Sequence, residues 1–326
     1  MAGASRGAAP AAVAAGVVAV AVIGAAALAV TRTPIAAPMP AATRASTPGV
    51  VIAPATTPTP TTVTTRPSAP TSTAPDAVRL AGAPNFRDLA GNGDGLEVAG
   101  GAHLARGVVY RSGRLDQLTT ADLRALRGLG LVDVFDLRTP YVAARAPDPK
   151  LPGATNHLIN LYAVTRSHAF RPVSVGETRA WFRQLNEAFV TDPQQRKRLR
   201  SVLQQIATAD GPVLIHCTEG KDRTGWVSAM LQYLAGADDQ TVLGSYLASN
   251  SYRANVIEAE YAARKKAKGR TAADIYLAQS RVDASYLQAG LTAARSRYGS
   301  IEDYLRRGVG LSSETIERLR AKLVSR

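Results

Sequence analysis

The chain has 326 residues, 46% of them hydrophobic, and a formal net charge of +14 from 39 basic and 25 acidic side chains. That length carries one large domain with a sizeable core plus a tail. A single cysteine excludes an intramolecular disulfide, and the four histidines are scattered without ligand spacing, so no metal or other cofactor is expected. The basic balance suits phosphorylated substrates or anionic lipid heads, and serves plain solubility equally well; with no binding motif beside it, nucleic acid is not an expected partner.

Residues 1–30 read as a signal peptide or N-terminal membrane anchor. Ala11–Val30 is twenty residues of Ala, Val, Ile, Leu and Gly, long enough to span a membrane. Ala27-Leu28-Ala29 is a small-x-small cleavage pattern, so the reading leans to export with cleavage. Either form places the rest of the chain outside the cytoplasm, secreted or anchored, with membrane contact only if the segment stays uncleaved. Thr31–Asp76 is rich in Thr, Pro and Ala and too poor in large apolar residues to fold. It reads as an extended, disordered linker, and the folded domain is expected over 77–326.

Within that domain, residues 108–111 suggest a strand. A helix then starts at Thr119, its cap, with Leu123, Leu126 and Leu129 on its buried face and Gly128 or Gly130 at its end. Leu131–Leu137 is the next strand, ending at Arg138. Trp181–Val190 and Gln194–Ala207 read as helices, and Pro212-Val213-Leu214-Ile215 is a short buried strand. Residues 226–296 look wholly helical: Trp226–Leu234, Asp239–Asn250, then Arg253–Lys268 stopping at Gly269. Arg264, Lys265, Lys266 and Lys268 form a basic run, either a solvated helix end that complements the dipole or a basic element near the substrate. Leu311-Ser312-Ser313-Glu314 caps a final helix. The order indicates an α/β fold, a mostly parallel central sheet with helices on both sides.

The stretch from His216 to Gly225 joins strand to helix through a tight loop, HCTEGKDRTG. Such a loop turns backbone N–H groups inward as an anion nest at a helix N-terminus. There a cysteine thiol favours its thiolate, which makes Cys217 the expected nucleophile. Arg223 places a planar fork on two phosphate oxygens. Gly220 allows close backbone approach, Gly225 suits tight helix packing, and Thr224 donates its hydroxyl to the sulfur. Thr218, Glu219 and Lys221 complete the loop around the bound phosphate. Lys221 is expected to meet a further phosphate of a phosphoinositide or to steer any anionic substrate. His216 orients the loop and tunes the thiolate. The chemistry is a thiolate aimed at phosphorus with its oxyanions held by N–H groups and a guanidinium.

His216-Cys217-x5-Arg223-Thr224-Gly225, with Gly220-Lys221-Asp222-Arg223 inside it, resembles the phosphate loop of cysteine-dependent protein tyrosine phosphatases, in particular the bacterial secreted tyrosine/phosphoinositide phosphatases. Asn85-Phe86-Arg87-Asp88-Leu89, Tyr110-Arg111-Ser112-Gly113, Asp136-Leu137-Arg138 and Tyr298-Gly299-Ser300 with Tyr304-Leu305 match that group's other motifs, over roughly residues 77–326. The resemblance implies a protein tyrosine phosphatase-like fold, a helical lid inserted after the phosphate loop, phosphorylated protein or phosphoinositide substrates, and Asp222 as general acid. Asp136 at a strand end is the alternative acid or, with Arg138, a support for the loop. Asn85, Arg87 and Asp88 are architectural. Three departures stand out. Glu219 replaces a small residue and is expected to point outward, away from phosphate. Ala90 replaces a glycine. Thr139-Pro140-Tyr141-Val142 lacks the glutamate often found after the arginine, which leaves the partners of Arg138 open. A phosphoanion-binding pseudophosphatase without turnover is the competing reading; the presence of both Cys217 and Arg223 argues against it.

Overall fold

The computed structural model describes residues 78–163 and 170–325; the expected targeting segment 1–30 and linker 31–76 lie outside the described residues. In chain order the strands are β1 (Arg87–Asp88), β2 (His103–Leu104), β3 (Val109–Ser112), β4 (Asp133–Asp136), β5 (Thr155–Leu158), β6 (Val213–His216) and β7 (Val324–Ser325). Five of them build the central sheet in the order β1-β3-β6-β4-β5, while β2 and β7 pair separately. Within the central sheet β3, β6, β4 and β5 run parallel, and β1 joins its edge antiparallel to β3.

Alternation along the inner strands puts side chains on both faces. Val213 and Ile215 of β6 and Phe135 of β4 enter the larger core cluster. Leu214 and Val134 enter the smaller one with Phe86 and Leu126. A sheet covered on both faces by helices is the arrangement parallel strands require. Helix α1 (Thr120–Arg127) covers the smaller side and starts at a capping box in which Thr119 and Asp122 satisfy each other's backbone N–H. A short α2 (Pro140–Arg145) follows β4.

Helix α3 (Val175–Thr191) begins at a Ser174 cap, six residues before the stretch its apolar pattern marks. It is followed by α4 (Pro193–Thr208), α5 (Arg223–Leu234) and α6 (Asp239–Tyr252). Helix α7 (Ala254–Ser280) corrects the expected stop at Gly269: the backbone kinks there, at φ 80 and ψ 174, and the helix resumes to Ser280. The chain closes with α8 (Ala284–Tyr298), α9 (Ile301–Asp303) running into a π-helical turn at Tyr304–Val309, and α10 (Ser313–Leu323). Trp226 of α5 is fully buried against Phe189 and Tyr304. Among the described residues no helix is long and apolar enough to cross a membrane.

The parallel register aligns three strand ends. Ser112 of β3 and Asp136 of β4 both pair with His216 of β6. The loop that follows His216 therefore leaves the carboxyl edge of the sheet between two neighbouring loops, where α/β sheets bind ligands.

Candidate active site

The residues after β6 turn sharply into α5 because outside donors hold their carbonyls. Leu137 N–H donates to the His216 carbonyl at 2.9 Å and Arg114 N–H to that of Thr218 at 3.0 Å. Asn85 Nδ2 donates to the Glu219 carbonyl at 2.8 Å, and Arg111 donates to that of Gly220 at 3.0 Å. With the acceptors drawn outward, the N–H groups are left for an anion. Gly220 sits at φ +70, and a Cβ there would lie 2.4 Å from the Ser112 carbonyl oxygen, so only glycine fits. Arg111 is fully enclosed; burial pulls its guanidinium down to about 10, still protonated at neutral pH.

Cys217 is buried at the loop's start, and its sulfur accepts the Gly220 N–H at 3.3 Å. This differs from the expected bond from Thr224, whose hydroxyl is buried without a hydrogen-bond partner among the described residues. Thr224 follows Arg223 into the first turn of α5, and the backbone N–H reaches the sulfur first. Arg223 donates to Thr218 Oγ1 at 3.1 Å and to the Leu137 carbonyl at 3.3 Å, and lies 4.5 Å from the centre of the Tyr162 ring. Its Nε has no partner among the described residues. Burial lowers its pKa, but the Cys217 sulfur, Tyr162 and nearby acids outweigh that and leave it raised overall. Gly225 packs against Tyr246, where a Cβ would come within 2.9 Å of the ring.

Asp222 occupies the cap position of α5 without capping it, and it lines the same cavity as Cys217. Lys221 does not reach out for a further phosphate as expected. Its Nζ is buried 3.1 Å from Asp222, 3.6 Å from Glu219 and 4.2 Å from the centre of the Phe182 ring. Two carboxylates and an aromatic face hold the cation in the wall. Glu219 also departs from expectation. Instead of pointing away, it lines the cavity, and Arg253 neutralises it at 2.9 Å. Arg253 precedes α7 and also donates to the carbonyl of Ser280, the last residue of α7. One guanidinium thus ties both ends of α7 to the phosphate loop.

Behind the loop, Arg138 grips Asp136 through two bonds, at 2.8 and 2.7 Å, and Asp148 through a third at 2.8 Å. Asp148 supplies the acidic partner that Thr139–Val142 lacks. Burial pushes the Asp136 carboxyl up, but the Arg138 bonds and His216 beside it hold it below the ordinary range. His216 is buried with Nε2 3.0 Å from Asp148, an ion-pair separation whose angle misses a hydrogen bond. Asp136, Asp148 and His216 bring donor atoms within 4.8 Å of one another, and the Arg138 guanidinium already supplies the cation that two of them need. Arg87 braces Asn85 and reaches Ser245 and Ser249 of α6, while Asp88 accepts from Ala90 and Gly107 backbone N–H groups. Ala90 is buried in the core, where the usual glycine is not required.

A cavity of about 370 Å³ opens over Cys217, Thr218 and Arg223. Tyr162, Phe170, Trp181 and Phe182 form one wall, and α7 forms the other through Arg264, Lys268, Ala272, Ile275, Tyr276 and Gln279. Nothing local in the sequence marks Asp148, Arg253 or Tyr162 as site residues. Arg111 belongs to the Tyr110-Arg111-Ser112-Gly113 motif, but nothing local announces that its side chain crosses to Gly220.

A buried cysteine that accepts a backbone N–H, in a loop running from a strand into a buried helix with an arginine at its first residue, is the arrangement of a phosphate-binding loop and points to a phosphatase. The tyrosine phosphatase family profile matches residues 78–325, and the chain belongs to that family. It is 31% identical over 283 residues to the triple specificity protein phosphatase PtpB of Mycobacterium tuberculosis, covering 76% of this chain and 99% of that one. It is 30% identical to a tyrosine-protein phosphatase of Nostoc commune, covering 77% of this chain and 90% of the other. The crystal structure of P. aeruginosa TpbA aligns over 44% of this chain and 71% of its own at 22% identity, with a TM-score of 0.22.

Proposed function

We propose that this phosphatase hydrolyses phosphotyrosine esters through a cysteinyl-phosphate intermediate. The Cys217 thiolate attacks phosphorus, and the P–O ester bond breaks as the leaving oxygen takes a proton from Asp222. Water then gives a proton to Asp222 and attacks the phosphocysteine, releasing inorganic phosphate and the thiolate. Arg223 and the loop N–H groups hold the three phosphoryl oxygens throughout. The observation that carries the reading is the loop itself: every carbonyl from Thr218 to Gly220 is engaged from outside, and the Gly220 N–H is bonded to the Cys217 sulfur. The aromatic wall of the cavity supports a phenyl ester over an alkyl one. PtpB is named for three specificities, and activity on phosphoserine/threonine or phosphoinositide belongs to the same proposal as a secondary range.

The test is turnover of p-nitrophenyl phosphate and a phosphotyrosine peptide with EDTA present. Cys217→Ser should lose at least about 10³-fold in kcat while still binding vanadate or phosphate, because a hydroxyl does not ionise usefully there. Activity within tenfold of wild type would overturn the covalent route. An extracytoplasmic location is part of the proposal and rests on the sequence of residues 1–30 alone. Fractionation with mass spectrometry of the mature N-terminus tests it; full-length protein in the cytosol with Met1 intact would refute it.

A further inference from the structure

The basic run of α7 divides between two directions. Arg264 and Lys268, four residues apart and so on one helical face, line the cavity; Lys265 and Lys266 do not. Neither Arg264 nor Lys268 has a carboxylate partner among the described residues, in contrast to Lys221 and Arg253. The Arg264 guanidinium lies 4.1 Å from the centre of the Tyr276 ring, which orients its fork without consuming its donors. Across the opening, Arg171 also lines the cavity, next to Phe170, whose ring stacks on Trp181 with centroids 4.2 Å apart. Exposure rises from Cys217, which is buried, through half-buried Arg264 to exposed Lys268 and Arg171. The cavity therefore runs from a phosphate nest, through an aromatic band, to a cationic mouth.

We infer that Arg264, Lys268 and Arg171 form a second anion subsite at the cavity mouth, which takes an acidic side chain flanking the phosphotyrosine of a peptide substrate. The inference rests on the phosphotyrosine reading above and adds the sequence context of the substrate. A ring between the two anions matches the aromatic band. A phosphoinositide matches it less well. Its second phosphate lies next to the reacting one, and the groups beside the nest there are the carboxylates of Glu219 and Asp222. The cations close to them are already engaged: Lys221 by those carboxylates, and Arg253 by Glu219 and the Ser280 carbonyl. Arg264, Lys268 and Arg171 are more exposed than the nest, which suits an anion carried by a neighbouring residue better than one on a neighbouring hydroxyl.

The experiment measures kcat/KM on the full chain for two phosphotyrosine peptides, one flanked by Glu and one by Ala, and for a soluble inositol polyphosphate. Wild type should prefer the acidic peptide. In Lys268→Gln, and more so with Arg264→Gln added, the acidic-to-neutral ratio should fall, by about tenfold in the double variant, through KM. A Lys265→Gln/Lys266→Gln control should keep the wild-type ratio. In wild type the ratio should also collapse towards one at about 1 M salt, a reading that needs no variant. An unchanged ratio in the Lys268 and Arg264 variants, an equal loss in the control, or a larger loss for the inositol polyphosphate than for the acidic peptide would each overturn the subsite. If wild type turned over neither peptide, the phosphotyrosine reading itself would fail, which is a separate result.

Discussion

Asp222 and Asp136 divide the work that carboxylates do at this site, and their surroundings separate them. Asp222 lines the cavity with its two oxygens 3.3 and 3.1 Å from the Lys221 amine, whereas Asp136 is not among the lining residues and both its oxygens are bonded to the Arg138 fork. A carboxylate held in that way supports the loop and has no oxygen free for a leaving group. Asp222→Asn should therefore lower kcat by about 10²–10³ for phenyl phosphate, whose leaving oxygen needs a proton, and by far less for p-nitrophenyl phosphate. Asp136→Asn should lower both alike, by loosening Arg138 and the turn after β4. Leaving-group series for the two variants check this. Equal losses on the two esters in Asp222→Asn would assign that residue a structural role. The departure at Glu219 follows a similar logic. A carboxylate beside the phosphate nest is tolerable because Arg253 stands 2.9 Å from it, so the residue that looks wrong in the loop is half of an ion pair.

The elements legible in the sequence are those whose periodicity is local. The Thr119 cap, the buried strand before Cys217 and the helical faces of α4 and α10 all rest on residues within one or two turns of one another. The loop was legible for the same reason, since nucleophile, arginine and glycines sit within ten residues. What escaped was long-range. Strand β5 is mostly exposed and carries no alternating apolar pattern, and β1 is two residues long. Asp148 lies in an irregular loop and acquires its role only when the chain returns it to Arg138. Glycine often ends helices, so the sequence suggests a stop at Gly269. Here its positive φ with ψ 174, a region essentially reserved for glycine, lets α7 change direction and continue. The second half of α7 then brings Ala272, Ile275, Tyr276 and Gln279 to the cavity, which no helix ending at Lys268 would supply.

At the scale of the whole molecule, buried carboxylates set the acid limit of the fold. Asp122 accepts N–H bonds from Ala81, Gly82 and Thr119, joining the start of the domain to α1. Burial pushes its carboxyl up, but those bonds outweigh burial and hold it below the ordinary range. Asp136 is depressed as well, by Arg138 and His216 acting against burial. A carboxyl depressed in the folded state contributes stability that is present above its unfolded value, about 4, and lost as pH falls through the folded value. Asp88 works in the opposite sense, since burial raises it despite its two backbone bonds. Two depressed carboxyls stand against this raised one, and Asp122 ties the start of the domain to α1, so the depressed pair should prevail. The chain also adds positive charge on acidification to a balance already at +14, which increases self-repulsion. Thermal melts should then show Tm nearly flat from pH 7 to about 5 and falling steeply below about pH 4. Asp122→Asn should cost about 1 kcal/mol at neutral pH from the lost cap, and should flatten the acid limb because the titrating group is gone. An acid limb of unchanged steepness in both Asp122→Asn and Asp136→Asn would show that these two carboxylates do not govern it.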